Sequence, residues 1–545
     1  MPSAPATVPS APPVAEAPSA APGSAPRRAP RGLTVAALAV AVPMAVPLAY
    51  LVVVLAQDAG LAWDVVWREQ TLRLLVRSTA LAVAVTATAI ALALPLSWLV
   101  TRTDLPARRV WTVLTTLPLV IPSYIGAYLM ISALGPRGLL QDLLEGPFGV
   151  ERLPSFYGYF GAWLVLTLFT YPLVLLTVRA TLLRLDPQLE DAARGMGRSG
   201  WSTYRTVVLP QLMPAIGAGG LLVALYVLSD FGAVSILRFD SFTRAIYTSY
   251  RASFDRVGAA SLAGLLVVVM FVVLWLEGRT RRRFAYHRTA PGAARRPQPV
   301  RLGRWRWPAL AFCATVTLLA LALPVAVLVY WSLQSVAGEP DWSAVAAAAV
   351  DSVTAAGLAA GIAAVCALPV AVLAARFPGR LTAVVERVTF TGYALPHIVV
   401  ALALVFFGTR VALPLYQTLA MLLFAYVVVM LPLAVGATRA SLLQVSPRLE
   451  EAARSVGRRP LAVLRTITAP LAAGGLAAGA ALVFLTAVKE LPATLILAPI
   501  GFETLSVEIW TSTSAAFYER GAIPSLVLLL ISAPPLYLLT TRHQP

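Results

Sequence analysis

The chain has 545 residues, of which 59% are hydrophobic and only 12% are charged, and its formal net charge is +18. A soluble multi-domain protein carries about twice that share of charged residues, so this class is excluded. The apolar excess also excludes a nucleic-acid-binding protein, although the basic balance alone is compatible with one. The remaining class is a polytopic helical membrane protein.

Most of the sequence consists of long apolar segments. Residues 1–32 are a tail rich in Pro, Ala and Ser, for which we expect disorder and a cytoplasmic location. A transmembrane helix needs about 20 apolar residues. The segments that meet this length are 33–56, 76–100, 111–134, 158–178, 212–237, 257–277, 308–332, 352–375, 389–408, 414–438, 472–498 and 521–540. We therefore predict an all-α fold with about twelve transmembrane helices.

The charges agree with this topology when both termini are cytoplasmic. The segments assigned to the cytoplasm then carry most of the arginines, and the opposite loops carry more acidic residues than arginines. Such a bias follows the positive-inside rule. The Arg-rich segment 278–307 is predicted to be a cytoplasmic linker between two transmembrane halves, 33–277 and 308–545.

The two halves repeat one another, which indicates an internal duplication. The segment from Arg179 to Pro210 recurs 260 positions later as Arg439 to Pro470. Upstream, a second set of matches is separated by 274 positions: Ser78 with Ser352, Pro95 with Pro369 and Pro122 with Pro396. Parallel duplication is a common construction among transporters. We therefore expect two homologous six-helix halves.

The strongest repeat lies in a cytoplasmic loop rather than in a span. Each copy begins with a capping residue before proline, Asp186 or Ser446, and continues with acids that favour the start of a helix. Gly197 and Gly457 are suited to end this short helix. Hydrophobicity does not constrain a cytoplasmic loop, so two matched copies indicate a functional surface.

This loop resembles the signature loop of permease subunits of bacterial ABC importers, E-A-A-x3-G-x9-I-x-L-P. The second copy departs by Ala469 before the proline, and the first departs by Asp191 and Val207. The resemblance implies a coupling helix in each half that docks on an ATPase subunit. Its residues are Glu190, Asp191, Ala192, Ala193 and Gly197 in the first half and Glu450, Glu451, Ala452, Ala453 and Gly457 in the second.

Two further stretches, Lys489 to Leu497 and Asp230 to Ser235, resemble the fused ferric-iron permeases of this family. The resemblance implies a multi-pass subunit of the bacterial cytoplasmic membrane that works with two copies of an ABC ATPase and an extracytoplasmic substrate-binding protein. It implies no enzyme activity in this chain, because ATP is bound by the partner subunits. Permeases for thiamine, phosphonate and sulfate have similar loops, so these solutes remain alternatives.

The few reactive residues agree with a subunit that does not itself bind ATP. The chain has three histidines and two cysteines without metal-ligand spacing, so we expect no metal site and no catalytic residue. Lys489 is the only lysine, and it does not follow the glycine-rich turn that binds nucleotide phosphates. An ion-coupled secondary transporter is a further alternative, but residues 101–106 lack the usual loop signature of that class.

Acidic residues inside spans are costly and commonly face a cavity or a partner. Asp230 and Glu490 are such residues, and they are 260 positions apart in the repeat. They are candidates for a cation pathway, because ferric iron prefers oxygen ligands. The alternative is a structural role, in which Lys489 or Arg238 pairs with them. For His397, a gate or ligand role stands beside that of a hydrogen-bonded interior histidine.

Overall fold

The structure is a computed structural model that describes residues 29–283, 299–337, 340–392 and 395–541. In these ranges the chain is helical, with one isolated backbone bridge between Thr103 and Val300. The disorder expected for residues 1–32 falls almost entirely outside the described residues, as does half of the linker 278–307, residues 284–298.

The first half contains fourteen helices, several of which are segments of one span. They are α1 (Arg31–Met44), α2 (Val46–Gln57), α3 (Ala59–Trp67), α4 (Glu69–Arg102), α5 (Arg108–Leu114), α6 (Ser123–Leu134), α7 (Leu139–Phe148), α8 (Tyr159–Leu182), α9 (Pro187–Gly195), α10 (Gly200–Thr203), α11 (Leu209–Ser229), α12 (Gly232–Ile236), α13 (Phe242–Arg251) and α14 (Arg256–Arg283). A 3-10 turn at Leu117–Val120 and a π-helical turn at Tyr204–Val208 complete this half.

The second half repeats this order. Its described helices are α15 (Arg306–Thr317), α16 (Leu323–Ala337), α17 (Trp342–Arg376), α18 (Arg380–Thr391), α19 (His397–Arg410), α20 (Leu419–Gln444), α21 (Pro447–Ser455), α22 (Pro460–Val463), α23 (Ala469–Ala487), α24 (Pro492–Leu497), α25 (Leu505–Ser514) and α26 (Tyr518–Thr541). Short 3-10 turns lie at Gly303–Trp305 and Leu413–Leu415, and π-helical turns at Leu318–Ala322 and Leu464–Thr468.

The described residues contain 8 helices that are long and apolar enough to cross a membrane, or up to 10 if each bent pair is one span. Ten of the twelve predicted segments overlap these spans. The predicted segment 521–540 lies in the 24-residue helix α26. The predicted segment 389–408 is wrong as a continuous span, because α18 ends at Thr391 and α19 begins at His397.

Prolines account for two of the breaks. The segment predicted at 111–134 is bent by 100° where Pro122 precedes α6. Pro396 occupies the equivalent place before α19. A residue that precedes proline is disfavoured in the helical region, so a helix commonly ends there. The match between Pro122 and Pro396 in the sequence is therefore a match between two helix breaks.

The ends predicted for two other spans are corrected by the structure. The segments 212–237 and 472–498 were expected to carry Asp230 and Glu490 within continuous helices. Instead α11 ends at Ser229 and α23 ends at Ala487, and a short helix follows each break. Both acids therefore lie at interruptions, where backbone groups are free to bind side chains.

Each half is built on three long helices packed together, α4, α8 and α11 in the first and α17, α20 and α23 in the second. One crossing in each half depends on glycine. A Cβ atom on Gly219 would lie 2.8 Å from the Val174 Cα, and one on Gly479 would lie 2.8 Å from the Ala434 Cα. These pairs are equivalent in the repeat, so the same close approach occurs in both halves.

The halves are joined by helices that pack outside their own half. Helix α1 contacts α17 and α18, α2 contacts α19, and α16 contacts α6. The rings of Tyr50 and Phe407 meet at 5.8 Å, and the Trp331 indole N–H donates to the Ser132 hydroxyl at 2.5 Å. The two halves therefore form one helical body.

Candidate functional site

The first candidate region is the repeated loop, where both expected helices are present. Helix α9 is capped by the Asp186 carboxylate, which accepts the Gln188 N–H at 3.0 Å. Gly197 follows the helix with φ +81°, and Gly457 follows α21 with φ +84°. Glycine adopts this left-handed backbone angle without the strain that an L-residue would have. The chain can therefore turn at the same position after each of the two helices.

The inner side of each loop is held by a buried ion pair. Glu190 Oε1 lies 3.1 Å from a guanidinium nitrogen of Arg102, the last residue of α4. Glu450 Oε1 lies 3.0 Å from Arg376 Nε at the end of α17. All four side chains are nearly inaccessible to solvent. Glu190 and Glu450 therefore attach the loop to the transmembrane helices and lie on its buried side.

Arg102 and Arg376 are functional candidates that the sequence analysis missed. They are 274 positions apart, the separation that also relates Pro122 to Pro396, and each ends a long apolar helix. A buried pair that loses one partner leaves an uncompensated charge, which costs about 3–5 kcal/mol. The match between the two arginines was visible in the repeat. The sequence alone did not show that their side chains contact Glu190 and Glu450.

The outer side of each loop is exposed and partly apolar. Asp191, Ala192, Glu451 and Ala452 face solvent, whereas Ala193 is buried and Ala453 is half-buried. Large apolar side chains are also exposed at equivalent positions of the repeat. They are Leu189 and Met196 in the first half and Leu449 and Val456 in the second. Matched apolar groups exposed beside charges are typical of an interaction surface.

The second candidate region lies at the helix breaks that carry the acids. Asp230 is 8% exposed, and its Oδ1 accepts the N–H groups of Ala233 at 3.0 Å and Val234 at 3.2 Å. The Ser123 hydroxyl at the start of α6 donates to Asp230 Oδ2. The carboxylate therefore caps α12 and joins α6 to the end of α11.

The second half repeats this arrangement with larger groups. Glu490 is 5% exposed, and its Oε1 accepts the Ala493 N–H at 3.1 Å. His397 Nδ1 at the start of α19 contacts Glu490 Oε2. Ser123 with Asp230 and His397 with Glu490 are thus equivalent pairs. The structure brings three of the four predicted pathway residues into these two sites.

Lys489, the fourth predicted pathway residue, takes a different partner from the one considered. Its Nζ donates to the Val120 carbonyl at 2.6 Å, which is in the first half. Arg238, the other cation considered, lies over the Tyr157 ring at 5.1 Å. Glu490 is therefore paired with His397, and the ammonium of Lys489 links the two halves.

Two side chains close to the acid sites are partly accessible to solvent. Tyr226 lies one helical turn before Asp230, whose backbone N–H donates to the Tyr226 carbonyl at 2.8 Å. Tyr226 is 38% exposed, and the His397 side chain is 28% exposed. Among the described residues, no group of three or more His, Cys, Asp or Glu could hold a metal ion.

Comparison with known proteins agrees with the duplicated fold. Residues 93–286 and 367–541 each match the family "Binding-protein-dependent transport system inner membrane component". The chain is 34% identical over 494 residues to the Fe(3+)-transport system permease protein FbpB 2 of Haemophilus influenzae, covering 90% of this chain and 94% of that protein.

Shorter relatives match roughly one half. The chain is 28% identical over 230 residues to the molybdenum transport system permease protein ModB of Escherichia coli, covering 40% of this chain and 97% of that protein. It is 26% identical over 247 residues to the sulfate transport system permease protein CysT of Escherichia coli, covering 44% and 88%. The chain therefore belongs to the inner-membrane permeases of binding-protein-dependent transport systems, as a duplicated ABC-importer subunit and not an enzyme.

Proposed function

We propose that this chain forms the complete membrane pathway of an importer for ferric iron. The observation that carries the proposal is the pair of equivalent acid sites, Asp230 with Ser123 and Glu490 with the partly exposed His397. Carboxylate oxygens suit a hard trivalent cation. The relative that aligns over 90% of the chain is named as an Fe(3+)-transport permease.

Two separate ATPase subunits would supply the energy. Each would bind the exposed side of one coupling helix, α9 or α21, where Leu189 and Leu449 offer apolar contacts. The buried pairs of Glu190 with Arg102 and Glu450 with Arg376 would then transmit the movement to α4 and α17. A stiff ion pair suits this role, because a displacement of the loop must displace the helix end.

The movement would separate and rejoin the two halves around the acid sites. The bond from Lys489 to the Val120 carbonyl crosses between the halves near Glu490. The Tyr124 hydroxyl also donates across the halves, to Ser506 at 2.9 Å. These contacts would break in one state and form in the other, while a substrate-binding protein delivers iron at the opposite side from the ATPases.

The orientation in the membrane is part of the proposal. Both termini, the linker 278–307 and the two coupling helices would lie in the cytoplasm, with residues 33–277 and 308–545 as the two transmembrane halves. The excess of arginine in these cytoplasmic segments supports that orientation. ATP would be bound only by the partner ATPases.

Reconstitution of the purified chain in proteoliposomes tests the function. We expect no ATP hydrolysis by the chain alone, and ATP-dependent uptake of radioactive ferric iron once the cognate ATPase and the iron-loaded binding protein are added. Uptake that needs no ATPase and collapses with the proton gradient would reject the importer. ATP-driven uptake of molybdate or sulfate without iron uptake would reject the substrate alone.

A further inference from the structure

A cavity of about 560 Å³ lies at the first half, between the start of α4 and the helices α13 and α14. Its wall contains four arginines: Arg68, Arg73, Arg77 and Arg244. Hydroxyl groups of Thr71, Ser241 and Thr248 also contribute to the wall. We call this feature the arginine cavity. Guanidinium groups suit carboxylate or phosphate groups.

The arginine cavity lies at the end of the molecule opposite the coupling helices. Arg102, at the last residue of α4, contacts Glu190 of the coupling helix α9. Residues at the start of the same 34-residue helix form part of the cavity wall. A helix of this length spans about 50 Å, so the cavity opens on the face away from the ATPase surface.

The charges of the cavity leave a positive excess. Asp240 Oδ2 lies 3.4 Å from Arg77, and its Oδ1 lies 2.7 Å from Arg244, so one carboxylate is shared by two arginines. Asp255, the other acid of the wall, accepts the Gly258 N–H at 2.8 Å. Arg73 lies 3.6 Å from Glu69 in an exposed pair, which water screens strongly. Four arginines therefore face two acids in the wall.

The equivalent place in the second half has the opposite charge. The Phe242 N–H donates to Ser78 Oγ at 3.2 Å, and the Leu505 N–H donates to the matching Ser352 Oγ at 2.8 Å, which establishes the correspondence. Next to these serines, the first half has Arg77 and the second half has Asp351. Asp351 Oδ2 accepts the backbone N–H of another acid, Glu503, at 3.1 Å.

We propose that the arginine cavity receives carboxylate side chains from one lobe of the substrate-binding protein, so that this protein docks in only one of the two orientations that the duplicated fold would otherwise allow. The inference rests on the proposed function. The lobe with acidic side chains binds the first half, because the acids at the equivalent place of the second half repel it. Charge complementarity of this kind sets orientation and association rate.

The cavity is placed to influence the acid site. Helix α13 begins beside the cavity, where Ser241 and Arg244 form part of the wall. Between them, the Thr243 hydroxyl donates to the backbone carbonyl of Asp230 at 2.6 Å. A displacement of α13 on docking therefore acts directly on the helix break that carries Asp230.

The test measures binding of the iron-loaded binding protein to the complete transporter in nanodiscs of neutral phosphatidylcholine. We expect Arg73→Gln with Arg77→Gln to raise Kd by about tenfold at low salt and to reduce its dependence on salt. The control is Arg152→Gln, an exposed arginine outside the cavity wall. Size-exclusion chromatography checks that each variant transporter is assembled. An unchanged Kd in the assembled double variant would overturn the proposal.

A lipid headgroup is the other source of anions, because Trp63 and Trp67 on the adjacent α3 are exposed as in a membrane interface. The measurement is repeated with phosphatidylglycerol in the nanodiscs. If the double variant lost bound phosphatidylglycerol but kept the wild-type Kd, the cavity would be a lipid site and the proposal would be wrong.

Cross-linking tests the single orientation. Arg73→Cys and Asp351→Cys are each combined with single cysteines in the two lobes of the binding protein. We expect each permease position to cross-link to a different lobe, and cross-links from both positions to both lobes would contradict the proposal. A wild-type transporter that bound no binding protein would reject the proposed function as well, whereas wild-type binding with an unaffected double variant rejects only the arginine cavity.

Discussion

At the scale of single residues, the acids of the spans combine a structural and a functional role. Asp230 and Glu490 each cap a short helix through backbone N–H groups, as well as contacting Ser123 or His397. The sequence predicted that two acidic residues lie within the spans. Their equivalent positions in the repeat supported that prediction. The sequence did not predict the helix breaks, because each acid lies in a predominantly apolar segment that is long enough for a continuous span.

The acid pair gives a prediction for transport. Asp230→Asn with Glu490→Gln keeps the capping oxygens but removes both negative charges, so we expect iron uptake to fall at least about tenfold, a loss of about 1.4 kcal/mol of stabilisation of the cation. Uptake of ferric iron into proteoliposomes measures the effect.

The matched control for this prediction is Asp142→Asn with Glu145→Gln, because these two acids are exposed on α7. The control variant should retain wild-type uptake. Equal uptake by the acid-pair variant, with normal assembly, would show that Asp230 and Glu490 serve only as structural caps.

At the scale of elements, the coupling loops depend on their terminal glycines. Alanine in place of Gly197 and Gly457 would carry a Cβ at φ +81° and +84°, at a cost of roughly 1–2 kcal/mol at each position. We expect the double variant to hydrolyse ATP with little iron uptake, because the loop no longer fits the ATPase. The ratio of iron transported to ATP hydrolysed measures this coupling.

Gly195→Ala is the control for the coupling loop. Gly195 lies two residues before Gly197, without a positive φ and with open space where a Cβ would be. The second copy has Ser455 at the equivalent position, so a side chain is tolerated there. A normal transport ratio in the Gly197→Ala and Gly457→Ala variant would contradict the assignment of these loops.

The glycine crossings give a prediction for stability. Gly219→Ala places a Cβ 2.5 Å from Thr177 Oγ1 and 2.8 Å from Val174 Cα, so α8 and α11 must separate. Overpacking of this kind costs about 1–3 kcal/mol. We expect a lower thermal unfolding temperature in detergent. Gly217→Ala, on the same helix with nothing within 4 Å, should leave that temperature unchanged or raise it; an equal fall in both variants would argue against the crossing.

At the scale of the whole molecule, α1 and α2 of the first half pack against helices of the second half. Gln57 at the end of α2 accepts a hydrogen bond from Arg410 at 2.5 Å, and Tyr50 packs on Phe407. The two halves therefore need each other for a complete packing surface. The residues that make these contacts lie outside the predicted linker 278–307.

Splitting the chain tests this arrangement. Fragments 1–290 and 291–545, produced together, should co-purify, because the helices that exchange between halves remain present in each fragment. Removing residues 1–58 from the first fragment should greatly reduce co-purification, since α1 and α2 contact α17, α18 and α19. Affinity purification through a tag on the second fragment measures the yield. Unaltered co-purification of the shortened fragment would contradict this packing.

The sequence by itself determined the class, the duplication and the form of the two repeated loops. Apolar segments about 20 residues long, arginines on one side and a repeated pattern of proline, acids and glycine depend only on composition and spacing, which a single chain displays directly. The caps at Asp186 and the turn at Gly197 are local in the same way, so the structure agrees with them.

Only the tertiary structure decided which charges meet. Arg102 reaches Glu190 across 88 positions, and Lys489 reaches the Val120 carbonyl across 369. Spacing along the chain carries no record of such contacts, because they depend on how separate helices pack. For the same reason the sequence did not predict the arginine cavity, whose wall contains residues from the start of α4 and from α13. The length of the apolar segments predicted most of the spans, and packing determines which side chains can act together.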